Sequence, residues 1–99
     1  MTVVDYILSY LKAIGSDHVF GMSGANIELF FHRMESFEGV RPILAKHEFS
    51  AVNMAAGYYH KSKKLGVVMS TSGGGAFNLL SPLIAVSYTH LTLPTILLV

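Results

Sequence analysis

A chain of 99 residues is enough for one domain and too short for two, and its core is stable only if most of its apolar surface finds cover. Hydrophobic residues make up 52% and charged residues 13%, well under the usual charged share, so this surface should lie against other parts of a larger assembly. A formal net charge of +1 gives no electrostatic case for nucleic acid, the absence of cysteine removes disulfides and thiolate metal sites, and no apolar run nears the roughly 18 residues that cross a bilayer.

The start, MTVVDYILSY, lacks the basic segment and small-residue cleavage site of a secretion signal, and a cytoplasmic protein is expected. Val3, Val4, Ile7, Leu8, Leu11 and Ile14 recur at spacings of three and four, which predicts an amphipathic helix capped by Thr2 and ended by Gly15. Val19-Phe20, followed by Gly21 and Gly24, reads as a buried strand entering a tight turn. Asn26 can cap a second helix whose apolar face is Ile27, Phe30, Phe31 and Met34. That helix breaks at Phe37-Glu38-Gly39 and leads into a second strand in VRPILAKH, where Pro42 must lie near the strand start or on a sheet edge. A third helix runs from about Glu48 to His60, with Ala51, Ala55, Ala56 and Gly57 letting a neighbouring backbone come close. A third strand follows in LGVVMST. Ser72-Gly73-Gly74-Gly75 then turns the chain into a fourth helix, AFNLLSPLIAV, with Pro82 at a boundary or kink.

Short strands without polar alternation, each followed by a helix, predict an α/β fold: an open, mainly parallel sheet covered by helices on both faces. Right-handed crossovers bring the carboxyl ends of the strands to one edge, so the loops at 21–25, 46–49 and 71–76 should converge there. Open α/β sheets take their ligands at that edge, and Glu48 stands on it.

Each loop carries two readings. Glu48 in a first helical turn gains ~0.3–1 kcal/mol from the helix dipole without any function, or it is an acid that shares a proton with a flat ligand approaching the small residues after it. Glycines in TSGGGAFN and FGMSGAN provide a structural turn, or close backbone approach to a ligand. The former lacks the Gly-Lys-Ser/Thr ending of a P-loop. The five histidines, His18, His32, His47, His60 and His90, show no metal-ligand spacing; His47 is singled out because it adjoins Glu48. Lys61-Ser62-Lys63-Lys64 reads as a solvated helix end.

In their order, VFGMSGANIELF, KHEFSAVNMAAGYY and GVVMSTSGGGAFNLL resemble the N-terminal, pyrimidine-binding domain of thiamine diphosphate enzymes of the acetolactate synthase and 2-oxo acid decarboxylase superfamily. The resemblance covers about residues 2 to 86, and it departs from the family at Gly21-Met22-Ser23-Gly24 and Gly73-Gly74-Gly75, where a proline is lost and the flanking glycines kept. It implies a thiamine diphosphate-binding, flavodoxin-like fold. It further implies that Glu48 hydrogen-bonds N1′ of the cofactor's aminopyrimidine and, by sharing a proton, favours the imino tautomer that removes the thiazolium C2 proton. Gly21, Gly24, Gly73 and Asn78 would border the cofactor with Glu48, and His47 would touch the substrate, a small 2-oxo acid that is decarboxylated or carboligated. In such enzymes the diphosphate and its Mg2+ are held by a downstream domain, usually of the other subunit of a dimer or tetramer, through a Gly-Asp-Gly motif that this sequence lacks. The 99 residues alone are then expected to be inactive.

Residues 1–86 thus read as a partial pyrimidine-binding domain. Residues 87–99, SYTHLTLPTILLV, resemble a translated sequencing adapter, although TILLV suits a fourth strand. Two other readings stand beside this one: a non-catalytic nucleotide- or phosphate-binding α/β module of flavodoxin type, and a family member retained as a regulatory or structural subunit.

Overall fold

The computed structural model describes residues 2–25, 27–88 and 95–98. Helix α1, Val3–Ala13, begins where the Thr2 hydroxyl accepts the Asp5 backbone N–H at 3.1 Å and the Asp5 carboxylate reaches back to the Thr2 N–H, a reciprocal cap. It buries Leu8 and Leu11 and ends before Gly15, whose φ of +85° suits glycine. Val3 and Ile14, expected on the apolar face, are instead exposed at the two helix ends.

Strand β1, His18–Gly21, leads to α2, Glu28–Ser36, which buries Phe30, Phe31 and Met34 while Ile27 is buried just ahead of it. The expected cap of this helix, Asn26, lies outside the described residues. Gly39, at φ +103°, turns the chain into β2, Arg41–Leu44. Pro42 is tolerated because β2 is an edge strand. Helix α3, Glu48–Ser62, crosses to β3, Val67–Thr71; the next helical stretch is broken in two, α4 at Gly74–Phe77 and α5 at Leu80–Tyr88. Pro82 falls in the first turn of α5, where a missing N–H costs no intrahelical bond. Strand β4, Thr95–Leu98, adds the fourth strand that TILLV suits.

All four strands are parallel, in the order β2-β1-β3-β4. The order reverses at β1, so the switch point lies between the carboxyl ends of β1 and β3. Val19, Val67 and Met69 pack with α1 and α2 on one face, and Phe20 and Val68 pack with Ala51, Val52, Ala55 and Leu79 on the other. Adjacent strand residues thus face opposite cores, which is why the strands read as continuous apolar runs. Ala51 and Ala55 are fully buried against the sheet, as their size anticipates. Gly57 is not such a contact: a Cβ there would meet nothing within 4 Å.

Candidate functional site

The site is assembled at the carboxyl edge of the sheet. β2 ends at Leu44, and the pairing continues one step further through the Ala45 N–H, which donates to the Gly21 carbonyl at 2.8 Å. The chain then enters α3 with His47 as its N-cap. The His47 Nδ1 accepts the Phe49 backbone N–H at 3.0 Å, which satisfies one of the orphan donors of the first turn. His47 itself is exposed, whereas Glu48, the first residue of the helix, is buried with 6% of its surface accessible.

A carboxylate buried to that degree needs partners to offset lost hydration. One comes from the segment after β3: the Asn78 Nδ2 donates to Glu48 Oε1 at 3.1 Å, from an exposed residue on the rim. The amide thus turns its NH2 inward, toward the carboxyl oxygen. The other oxygen, Oε2, lies 3.3 Å from where a Cβ on Gly75 would stand, and no side chain of the described residues donates a hydrogen bond to it. The α3 N-terminus contributes a favourable field to the carboxylate.

Glycines shape the floor of the site in three different ways. A Cβ on Gly75 would stand 2.9 Å from Thr71 Cγ2, and one on Gly24 would stand 2.6 Å from Thr71 Cβ, so both loops close on the end of β3 because neither carries a side chain. Gly73 has open space around it and is needed for its backbone instead, with φ +72° as it caps α4. Gly21 lies deeper, between strands: a Cβ would overlap the Met69 carbonyl oxygen and press on the Phe31 ring, so its place in the fold is explained by sheet packing.

Of the residues singled out in the sequence, Glu48 and Asn78 are in direct contact, and Gly24 meets the same strand end through Thr71. Gly73 and His47 flank the site from exposed positions and Gly21 supports it from within. Gly75 and Thr71 complete the floor without having been singled out. A run of three glycines does not say which one a carboxylate approaches, and a threonine at a strand end carries no signal of its own.

Among the described residues no group of three or more His, Cys, Asp or Glu side chains could hold a metal ion, and no helix is long and apolar enough to cross a membrane.

An open parallel sheet with a buried carboxylate at its switch-point edge defines an α/β domain of the kind that engages ligands at the carboxyl ends of its strands. Comparison with known proteins identifies which. The family model described as "Thiamine pyrophosphate enzyme, N-terminal TPP binding domain" matches residues 1–98, and the chain belongs to that family. The acetolactate synthase large subunit of Lactococcus lactis subsp. lactis (strain IL1403) is 42% identical over 72 residues, 73% of this chain and 12% of that protein. Acetolactate synthase of Mycobacterium bovis (strain ATCC BAA-935 / AF2122/97) is 34% identical over 83 residues, 84% of this chain and 13% of that protein. Among solved structures, a thiamine diphosphate-dependent 4-hydroxybenzoylformate decarboxylase of Rhodococcus jostii RHA1 superposes with a TM-score of 0.89 at 28% identity, over 99% of this chain and 18% of that one. The chain therefore spans 12–13% of the length of these curated relatives.

Proposed function

We propose that this domain serves a thiamine diphosphate-dependent enzyme of acetolactate synthase type, acting on a small 2-oxo acid by decarboxylation or carboligation, and that Glu48 is its acid–base group toward the cofactor. The observation that carries the reading is the Glu48 carboxylate, 6% accessible, with Oε1 held by Asn78 and Oε2 beside the bare Cα of Gly75, without a side-chain donor among the described residues. A nitrogen heterocycle that presents a ring nitrogen able to carry a proton fits this arrangement, since it supplies the missing donor and its flat edge suits a wall without a Cβ. A nucleotide phosphate does not fit, because a buried carboxylate repels it. When bound, thiamine diphosphate supplies the electron sink that lets a 2-oxo acid lose CO2.

The chain's own part is to hold and move one proton. Glu48 is fixed at the start of α3 by the His47 cap, it is shielded from bulk water, and its Oε2 can pass a hydrogen to a ring nitrogen and take it back. We assign Gly21, Gly24 and Gly73 to the border of the cofactor, with Gly75 bringing a wall without a Cβ up to Oε2. We assign His47, exposed and adjacent to Glu48, to contact with the substrate. We assign the diphosphate and Mg2+ to a domain downstream of this segment, so that the segment alone is inactive. We further assign a homodimer or tetramer built through this domain, which would cover the apolar side chains exposed on α3 to α5: Phe49, Met54, Phe77, Leu80 and Ile84. A cytoplasmic location accords with this chemistry.

In the full-length protein supplied with thiamine diphosphate and Mg2+, CO2 release from 2-oxo acids should depend on the cofactor and fall about 10²- to 10⁴-fold in Glu48→Gln. Undiminished turnover in that variant would remove Glu48 from the reaction.

A further inference from the structure

Resting on that reading of Glu48, we propose that Asn78 is a positioning residue that acts through Glu48: by holding Oε1, it makes Oε2 the oxygen that faces the ring nitrogen. The contact bridges two elements distant in sequence, the first residue of α3 and the residue that closes α4. The backbone at Asn78 is already engaged, its N–H donating to the Gly74 carbonyl at 3.1 Å, so the side chain is not needed to end the helix. It reaches 3.1 Å to a buried carboxylate from an exposed rim position. Without it, the carboxyl group could rotate about its last bond and exchange its two oxygens, and the one beside Gly75 would no longer be fixed. An acid–base group works only while held near its productive geometry, so a hydrogen bond to the distal oxygen bears on the rate of proton movement more than on cofactor affinity.

The titratable neighbour at the N-cap of α3 is His47, whose Nδ1 accepts the Phe49 N–H. Thr71, Gly75 and Asn78, from the end of β3 and the segment after it, and Gly24, from the loop after β1, bring no titratable group toward Glu48. The group in contact with the Glu48 carboxyl is thus a neutral amide, and replacing that amide with a second carboxyl creates a coupled pair.

The test is C2 proton exchange of thiamine diphosphate bound to the full-length protein, followed by NMR, together with cofactor affinity. Asn78→Leu should slow exchange about 10- to 100-fold while cofactor affinity changes less than about threefold. Asn78→Asp should recover exchange at the acid end of the range, where the two carboxyls share a proton and the aspartic acid donates as the amide does, and lose it as the pH rises and the pair repels. In the Glu48→Gln background, Asn78→Leu should add no further loss. If Asn78→Leu slows exchange by the same factor with Glu48 intact and in the Glu48→Gln background, or weakens cofactor binding in proportion, Asn78 acts independently of Glu48 and the inference is overturned. If Glu48→Gln itself leaves exchange unchanged, the failure belongs to the assignment of Glu48 instead.

Discussion

At Gly75 the site depends on one missing methyl group. A Cβ there would stand 2.9 Å from Thr71 Cγ2 and 3.3 Å from Glu48 Oε2, the first fixed on a strand and the second on a buried carboxylate. Gly75→Ala should therefore lower the urea midpoint by an amount equivalent to about 1–3 kcal/mol and weaken thiamine diphosphate binding. Thr71→Ser removes the Cγ2 methyl and should restore much of the stability of Gly75→Ala. The same replacement should not rescue Gly24→Ala, whose Cβ would meet Thr71 Cβ at 2.6 Å, an atom that serine keeps. Equal rescue of both variants in the unfolding titrations would show that the Thr71 methyl is not what distinguishes them. Glu48 was legible in the sequence as an acid at a strand–helix junction. The break between α4 and α5 was legible in Pro82, which cannot donate to the Asn78 carbonyl, but the hydrogen bond from Asn78 to Glu48, 30 residues apart, was not, because nothing in the spacing pairs two residues on different elements.

Between elements, the opposite end of β1 from the site is tied to α3 by a cluster around Asp17. Its Oδ1 accepts the Tyr58 hydroxyl and meets the His18 Nδ1 at 2.9 Å, and Oδ2 lies 3.5 Å from Lys64 Nζ. The Tyr58 hydrogen bond, then that of His18, holds the Asp17 carboxyl far below the usual carboxylate range. Burial, with the carboxylate beside it, pushes the Tyr58 hydroxyl up to about 12. The depressed Asp17 contributes stability that is complete above its unfolded value, near 3.8, and is lost as the pH falls from there toward the folded value. The raised Tyr58 contributes stability that is complete below pH 10.0 and is lost as the pH climbs toward about 12. Tyr58→Phe should flatten both limbs of the urea midpoint plotted against pH, leaving on the acid side the part due to His18 and Lys64. An unchanged acid limb would mean that Tyr58 does not hold Asp17. Nothing in the spacing of positions 17, 18, 58 and 64 marks them as neighbours, and the cluster has no counterpart in the sequence reading. Strands were more legible than such contacts: three of them, with their flanking glycines, followed from short apolar runs bounded by turn residues. The particular reason for Gly21 was not, since it lies in the backbone of Met69 on β3, an element that becomes its neighbour only through the crossover of the chain.

For the molecule as a whole, the excess of apolar residues over charged ones is borne on the surface. Tyr6, Tyr10 and Ile14 line an apolar groove of about 360 Å³ with Leu65 and Val67, and Phe77, Leu80 and Ile84 lie exposed on α4 and α5. We propose that other parts of a longer protein cover these patches, since the chain spans 12–13% of its curated relatives. Radical footprinting of the full-length protein should find Tyr6, Tyr10 and Phe77 protected well beyond the 66%, 59% and 72% exposures they have in this segment. Labelling in proportion to those exposures would show that the faces stay open. We propose that residues 87–99 are foreign to the native reading frame, although the family match runs to residue 98, and a genomic sequence that continues unchanged past Val86 would refute it.

The proposed chemistry rests on a proton passing between the carboxyl of Glu48 and a ring nitrogen. The direct measurement is the exchange rate of the C2 proton of thiamine diphosphate bound to the full-length protein, compared with the Glu48→Gln variant at equal cofactor occupancy. A fall of at least about 10²-fold is the predicted result, since glutamine can form the hydrogen bond but cannot exchange the proton. Exchange at the wild-type rate in the variant would contradict it.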